Sequence, residues 1–301
     1  MNVAHTAAFR QLVAAQPLCF VDAGARGTLE GPWAEVPPDL MTVLAFEPDA
    51  QATIEWETAN PHWHLERSVL WSEKGAVRIH IGEIESTSST WPPNFAYLER
   101  FCSKHATPRR TTRTVDVAAN TLDSITRRRG LNPDFVKIDT QGAEYDILKG
   151  SSQVLSDCAF AVLIETWTQQ IHAGQGTTAD VMAMMQEKGF SLFDVQVAAA
   201  WQRRNFETYP LSSKPQIVGL DLLYFRDPIE IADRFEDPAY AAKCAAIAEI
   251  YGHFNLALEI YDLALTRAQH GVEQLAALRT RAIETFGAGQ SIPFEIAKLH
   301  Y

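Results

Sequence analysis

The run Phe135-Val136-Lys137-Ile138-Asp139 is mostly apolar, too short for a helix, and ends in an acid. Thr140-Gln141-Gly142 then supplies a turn, and residues 143–150 carry helical spacing. Two earlier runs repeat this pattern. Leu18-Cys19-Phe20-Val21 ends in Asp22 and is followed by the turn Ala23-Gly24-Ala25-Arg26-Gly27. Thr42-Val43-Leu44-Ala45-Phe46 ends in Glu47, and Pro48-Asp49 suits the first turn of a helix. Short buried strands alternating with helices have few ways to pack, and the expected result is a mostly parallel sheet with helices on both faces. Such sheets bind ligands in the crevice beyond the C-terminal ends of their strands. Asp22, Glu47 and Asp139 are therefore expected along one rim.

The remaining periodicities fill in the α/β pattern. Residues 3–15 read as a helix ended by Pro17. Strand-like runs lie at 64–70, 76–81 and 114–118, and residues 83–112 show no sustained period. Thr121 caps a helix that starts at Leu122. A strand at 160–165 and a helix at 177–188, stopped by Gly189, follow. The runs 190–195 and 220–225 are joined without a helix, so they are expected to pair antiparallel at one edge of the sheet. Past Asp227-Pro228 the chain turns Ala-rich and helical, which predicts a body of residues 1–230 and a helical extension of residues 231–301. In that extension Gly252, Phe254, Ala257, Tyr261, Ala264 and Leu265 match one tetratricopeptide-like helix pair. One pair cannot bury its own face. It is expected to pack on the body, on a second copy of the chain as a homodimer, or on a partner.

Charge narrows the functional classes. The 26 Lys and Arg against 37 Asp and Glu leave a net charge of -11, which argues against a nucleic-acid-binding body and against an anionic membrane surface. The small basic patch Arg109-Arg110 with Arg113 reads as a solvated loop or a local anion contact. Cys19, Cys102, Cys158 and Cys244 lie far apart with no Cys-x-x-Cys, as expected of reduced thiols in a cytoplasmic protein. No signal-peptide pattern is visible, and no apolar run reaches the roughly 20 residues of a membrane helix.

The first two acids point to a nucleoside-containing cofactor. A glycine just past a strand, here Gly24, lets backbone approach a ligand closely. The spacing is not the Gly-x-Gly-x-x-Gly of dinucleotide sites. Glu47 lies 25 residues beyond Asp22, and an acid ending the second strand commonly accepts bonds from ribose hydroxyls. A plain tight turn and a helix-capping acid are the simpler readings of the same residues.

In order along the chain, Phe20-Val21-Asp22-Ala23-Gly24-Ala25, Ala45-Phe46-Glu47-Pro48-Asp49, Asn120-Thr121-Leu122-Asp123-Ser124-Ile125 and the 137–150 segment resemble FkbM-type methyltransferases over roughly residues 18–226. The resemblance implies a Rossmann-like methyltransferase sheet and S-adenosylmethionine as cofactor. It also implies methylation of a hydroxyl on a small-molecule or glycan acceptor, such as a sugar or polyketide. By the same resemblance Asp22 and Gly24 line the methionine end of the cofactor, Glu47 binds its ribose, Ser68 and Val69 flank its adenine, and Ala25 and Pro48 are further cofactor-binding residues. Asp139 lies near the transferred methyl, and Glu144 borders the same pocket. Two departures stand out. The family turn Asp-x-Gly-Ala-Asn-x-Gly ends here in Arg26, Gly27 and Thr28, and the family Glu-Gly-Ala-Glu reads Gln141-Gly142-Ala143-Glu144.

A hydroxyl is a weak nucleophile, so methyl transfer to it calls for alignment and a base. Asp139, Glu144 and His172 are the candidate catalytic residues; Asp139 could instead orient the cofactor or a turn. Glu165 ends another strand and could face the pocket. Mg²⁺ held by Asp139, Glu144 and Glu165 is the weaker reading of these acids, and no metal is assigned. Trp91-Pro92-Pro93-Asn94-Phe95 and Trp167 are candidates for a substrate mouth. The expected function is an S-adenosylmethionine-dependent O-methyltransferase. The alternative is a non-catalytic protein of the same fold that binds a partner through its helical tail.

Overall fold

The computed structural model describes residues 3–27, 29, 31–49, 60, 62–204 and 213–287. The first α-helix is α1 (Ala7–Val13), with the Thr6 hydroxyl accepting from Phe9 N. The single helix expected over 3–15 is broken there, because Thr6 is extended and separates α1 from a 3-10 turn at Val3–His5. The strands are β1 (Leu18–Ala23), β2 (Met41–Phe46), β3 (Trp63–Glu66), β4 (Val69–Leu70), β5 (Gly75–Gly82), β6 (Thr111–Asn120), β7 (Phe135–Ile138), β8 (Ala161–Trp167), β9 (Phe190–Trp201) and β10 (Gln216–Arg226).

The main sheet has the order β3-β2-β1-β7-β8-β10-β9. β2, β1, β7 and β8 run parallel in register, as does β3 beside β2. β10 is antiparallel to both β8 and β9, giving the expected antiparallel edge. A second sheet, β4-β6-β5, was not foreseen as a separate layer. The run at 64–70 divides between the two sheets. Trp63–Glu66 pairs with β2, whereas Val69 and Leu70 pair with Ala119 and Asn120. Asn120 Nδ2 donates to Ser68 Oγ at 3.1 Å and pins the crossing point.

The irregular segment over 83–112 contains two short helices, α2 (Phe95–Leu98) and α3 (Ser103–Ala106). They pack through Leu98, Phe101 and Ala106 on Trp167, Trp201 and Val218.

β1, β7 and β8 are buried on both faces, so they read as continuous apolar runs rather than alternating ones. Val21, Val136, Ile164 and Leu222 share one face with residues of α4 (Leu122–Arg129), α5 (Glu144–Lys149) and α6 (Thr178–Glu187). Phe20, Phe135, Leu163 and Phe225 share the other face with α1, Trp33 and three C-terminal helices. These are α7 (Pro238–Ile250), α8 (Phe254–Arg267) and α9 (Val272–Phe286).

The β1–β2 connection supplies only 3-10 turns to cover this face among the described residues, at Gly31–Glu35 and Pro38–Leu40. The extension covers it instead. Lys243 Nζ lies 2.8 Å from Asp134 Oδ1, both buried. Trp33 Nε1 donates to Tyr251 Oη at 2.8 Å, and the Tyr251 ring stacks on Phe135 at 5.3 Å. Of the three destinations open to the helix pair, the body takes its inner face. Among the described residues no helix is long and apolar enough to cross a membrane. The helix expected after Pro48-Asp49 falls mainly on residues 50–59; these and Thr28 of the variant turn lie outside the described residues.

Candidate active site

A cavity of about 900 Å³ opens beyond the C-terminal ends of β1, β2, β7 and β8, walled on one side by the second sheet and residues 85–90. Gly24, Glu47, Pro48, Ser68, Val69 and Asp139 line it, as expected. Asp22 and Ala25 do not. Asp22 pairs with Lys137 Nζ at 3.5 Å on the neighbouring strand, and Ala25 is buried in the core beneath.

The turn after β1 works differently from the sequence expectation. The N–H groups of Gly24 and Ala25 both donate to Phe46 O, at 3.2 and 3.1 Å. Gly24 has φ +94°, and a Cβ there would lie 1.9 Å from Asp139 O. The glycine therefore lets β1 close against β7, with Asp139 N donating to Ala23 O at 3.0 Å. Gly27 has φ +89°, which accounts for a glycine at the shifted position. Arg26 reaches across the cavity mouth, its Nη2 at 2.8 Å from Glu85 and 3.9 Å from Asp49.

Glu47 sits at the β2 end of the cavity. Its Oε1 accepts from Asp49 N at 2.8 Å, and burial raises its pKa. The carboxylate is thereby fixed at the rim.

Glu144 is drawn away from the cavity. It accepts from Thr140 N, Thr140 Oγ1 and Gly142 N at 2.9–3.1 Å. It is 3% exposed and does not line the cavity. Burial pushes its pKa up to about 7 against the pull of these hydrogen bonds. Its position makes it a fastener of the 140–142 turn. His172 packs behind Gly142, and its Nδ1–H donates to Gln175 Oε1 at 3.0 Å. Burial lowers its pKa to about 3, so the ring is neutral, and it too lies off the cavity wall.

The acids brought together are Asp139, Glu165 and Asp221. Asp139 and Glu165 line the cavity and hydrogen-bond to each other, and Gln141 Nε2 donates to Glu165 Oε2 at 2.9 Å. Asp221 stands opposite Glu165 across the β8–β10 ladder. Burial, then the charges of Asp139, Glu144 and Asp221, raise Glu165 well above the ordinary carboxylate range. Burial and the Asp139 charge lift Asp221 to about 6. Sequence reasoning missed Asp221, although an acid between Leu220 and Leu222 in an apolar run was the available signal.

The basic patch divides. Arg110 pairs with Glu83 at 3.7 Å on the surface, and Arg113 lines the cavity. Arg109 is buried in the cavity wall, 5.5 Å from the Trp167 ring and 4.8 Å from that of Trp201. Trp167 lines the cavity as expected, but Trp91 does not; its Nε1 donates to Asp146 at 3.2 Å. No group of three or more His, Cys, Asp or Glu among the described residues is arranged to hold a metal ion. The carboxylate triad considered for Mg²⁺ is not formed, because Glu144 faces its own turn.

Several solved structures are similar at low identity. A methyltransferase FkbM from Methylobacillus flagellatus has 12% identity and a TM-score of 0.35, covering 68% of this chain and 43% of that one. This chain thus spans less than half the length of that protein. A precorrin-6y C5,15-methyltransferase from Geobacter metallireducens has 14% identity and a TM-score of 0.28, over 73% of this chain and 86% of that one. A magnesium protoporphyrin IX methyltransferase from Synechocystis, solved with bound SAH, has 10% identity and a TM-score of 0.29, over 75% and 84%. No curated protein matches the chain. The family model described as the methyltransferase FkbM domain matches residues 36–192, just over half of the sequence. The chain belongs to the FkbM methyltransferase family.

Proposed function

We propose that the protein is an S-adenosylmethionine-dependent O-methyltransferase acting on a hydroxyl of a sugar, glycan or polyketide-type molecule. The observation that carries this reading is one cavity lined both by Glu47 and by the Asp139–Glu165 pair. The residues present fit the cofactor. Glu47 is a fixed acceptor for ribose hydroxyls, and Gly24, Pro48, Ser68 and Val69 line the space around it. S-adenosylmethionine, when bound, supplies a methyl group already activated on sulfur.

The chain's own task is to hold the acceptor oxygen and remove its proton. Two carboxylates in contact hold one proton between them. Burial and negative neighbours favour the protonated form of Glu165, and Asp139 beside it on the cavity wall is the group assigned to take the proton of the acceptor hydroxyl. Gln141 fixes Glu165, and Glu144 holds the turn that carries Gln141 and follows Asp139. In this reading residues 1–230 carry the chemistry and the extension beyond 230 covers one face of their sheet. That use of the inner faces of α7–α9 weighs against the non-catalytic partner-binding alternative.

Isothermal titration with S-adenosylhomocysteine is the direct test. Saturable binding is expected. No heat from a protein that still melts cooperatively would sink the proposal. Labelled methyl transferred from S-adenosylmethionine to a metabolite extract, with the product bond located by mass spectrometry, separates O-methylation from other outcomes.

A further inference from the structure

The cavity wall holds a cation that the proposed chemistry does not use. Arg109 lies in the turn Thr107–Arg109, is 9% exposed, and lines the cavity. Its Nη1 donates to His105 O at 3.0 Å, while its buried Nε has no hydrogen-bond partner among the described residues. No described carboxylate lies within 4 Å of the guanidinium. Glu165 is the acid whose charge acts on it, yet Glu165 is itself driven toward its neutral form. Buried charges are ordinarily paired, so a guanidinium held this way calls for an anion from elsewhere.

The group is also prevented from swinging away. Trp167 and Trp201 flank it, and the His105 ring stacks on Trp201 at 4.7 Å. Its position separates it from the cofactor end. Trp167 ends β8, two strands from β1, and strand spacing puts roughly 10 Å between them. The cations nearer that end are already engaged, Lys137 with Asp22 and Arg26 with Glu85.

The geometry points to an acidic acceptor. Arg109 would bind a carboxylate or phosphate on the acceptor, while the acceptor's hydroxyl faces Asp139 and Glu165. This rests on the methyltransferase reading for the role of those acids, but the anion preference can be measured without turnover. Of the patch that the sequence left as loop or anion contact, Arg109 is the buried member of the cavity wall, and Arg113 lines the cavity from an exposed position.

The test titrates the full-length protein with glucuronate, glucose 6-phosphate and glucose, each with and without saturating S-adenosylhomocysteine. At least one anionic sugar is expected to bind tenfold or more tighter than glucose, and which one does so distinguishes carboxylate from phosphate. Arg109→Gln, checked for a cooperative melt, is expected to erase that preference, and Arg109→Lys to restore part of it. Equal binding of all three sugars, or no binding of either anion, overturns the inference. So does an anion preference that survives in a folded Arg109→Gln. The S-adenosylhomocysteine arm reports separately on the methyltransferase reading: its binding alongside indifference to anions would remove only the acidic acceptor.

Discussion

Gln141 Nε2 donates to Glu165 Oε2 over 2.9 Å from a backbone held at φ +57°. It is the one described non-glycine residue in the left-handed region, where an L side chain is costly by about 1–2 kcal/mol. FkbM-type sequences commonly place a glutamate at this position, and here an amide donor meets a buried acid instead. Gln141→Glu would replace the donor with another acceptor beside Asp139 and Glu165. It is expected to lower stability at pH 8 by about 1–3 kcal/mol. The loss should shrink at pH 5, where the introduced carboxyl, once protonated, can donate again. Urea unfolding at both pH values checks this, and an equal loss at both would contradict it.

Stability should peak in mildly acid solution. Glu144 keeps its proton up to about pH 7 against an ordinary 4.5, and Asp221 up to about 6 against 3.8. As pH rises through those windows the folded chain must release protons that the unfolded chain has already lost, so stability falls. His172 and His105 act oppositely. They stay neutral down to about 3 and 4, whereas the unfolded chain takes up protons below 6.5, so acidification costs stability. The expected maximum lies at about pH 4.5–6.5. Glu144→Gln should flatten the fall above pH 6, as melting temperature against pH would reveal.

Cofactor binding and rate should separate between Glu47 and Asp139. Glu47→Ala is expected to weaken S-adenosylhomocysteine binding about tenfold or more, a loss of about 1.4 kcal/mol. Asp139→Asn should leave binding closer to wild type but slow methyl transfer by about 10²-fold or more, as removal of a base does. Calorimetry paired with labelled-methyl transfer to extract would expose the reverse order.

Lys243→Ala should destabilise by about 3–5 kcal/mol, because it strands the buried Asp134 carboxylate. Lys243→Met with Asp134→Asn should recover much of that loss. Denaturant melts of the single and double variants decide the point. A single variant within about 1 kcal/mol of wild type, on the order of a surface ion pair, would mean the pair does not fasten α7.

The acid-ended strands were legible because burial on both faces leaves Leu18–Ala23 and Phe135–Ile138 almost without polar residues. The cavity-lining places of Gly24, Glu47 and Asp139 followed from them, and those of Ser68 and Val69 from the family resemblance. The roles of Gly24 and Glu144 did not, since sequence gives a residue's place on the rim but not the direction of its side chain. Glu144 turns inward because three donors of its own turn face it. For Arg109, seen only as one of a basic patch, and for the missed Asp221, it was the setting that was not legible. Their surroundings come from strands and loops far apart in sequence, and local composition carries no trace of the tryptophans and the acid that meet them.

The α7 helix that covers Phe20 and Phe135 is made some 100 residues after β7. While a ribosome builds this chain, β8, β9 and β10 join the sheet during that interval, and the face that α7 covers stays without it throughout. Domains ordinarily fold as their N-terminal parts emerge, but here α1 and Trp33 give that face only partial cover until the last helices arrive. Synthesis stalled near residue 230 would therefore leave an aromatic surface open to chaperones and to other nascent chains.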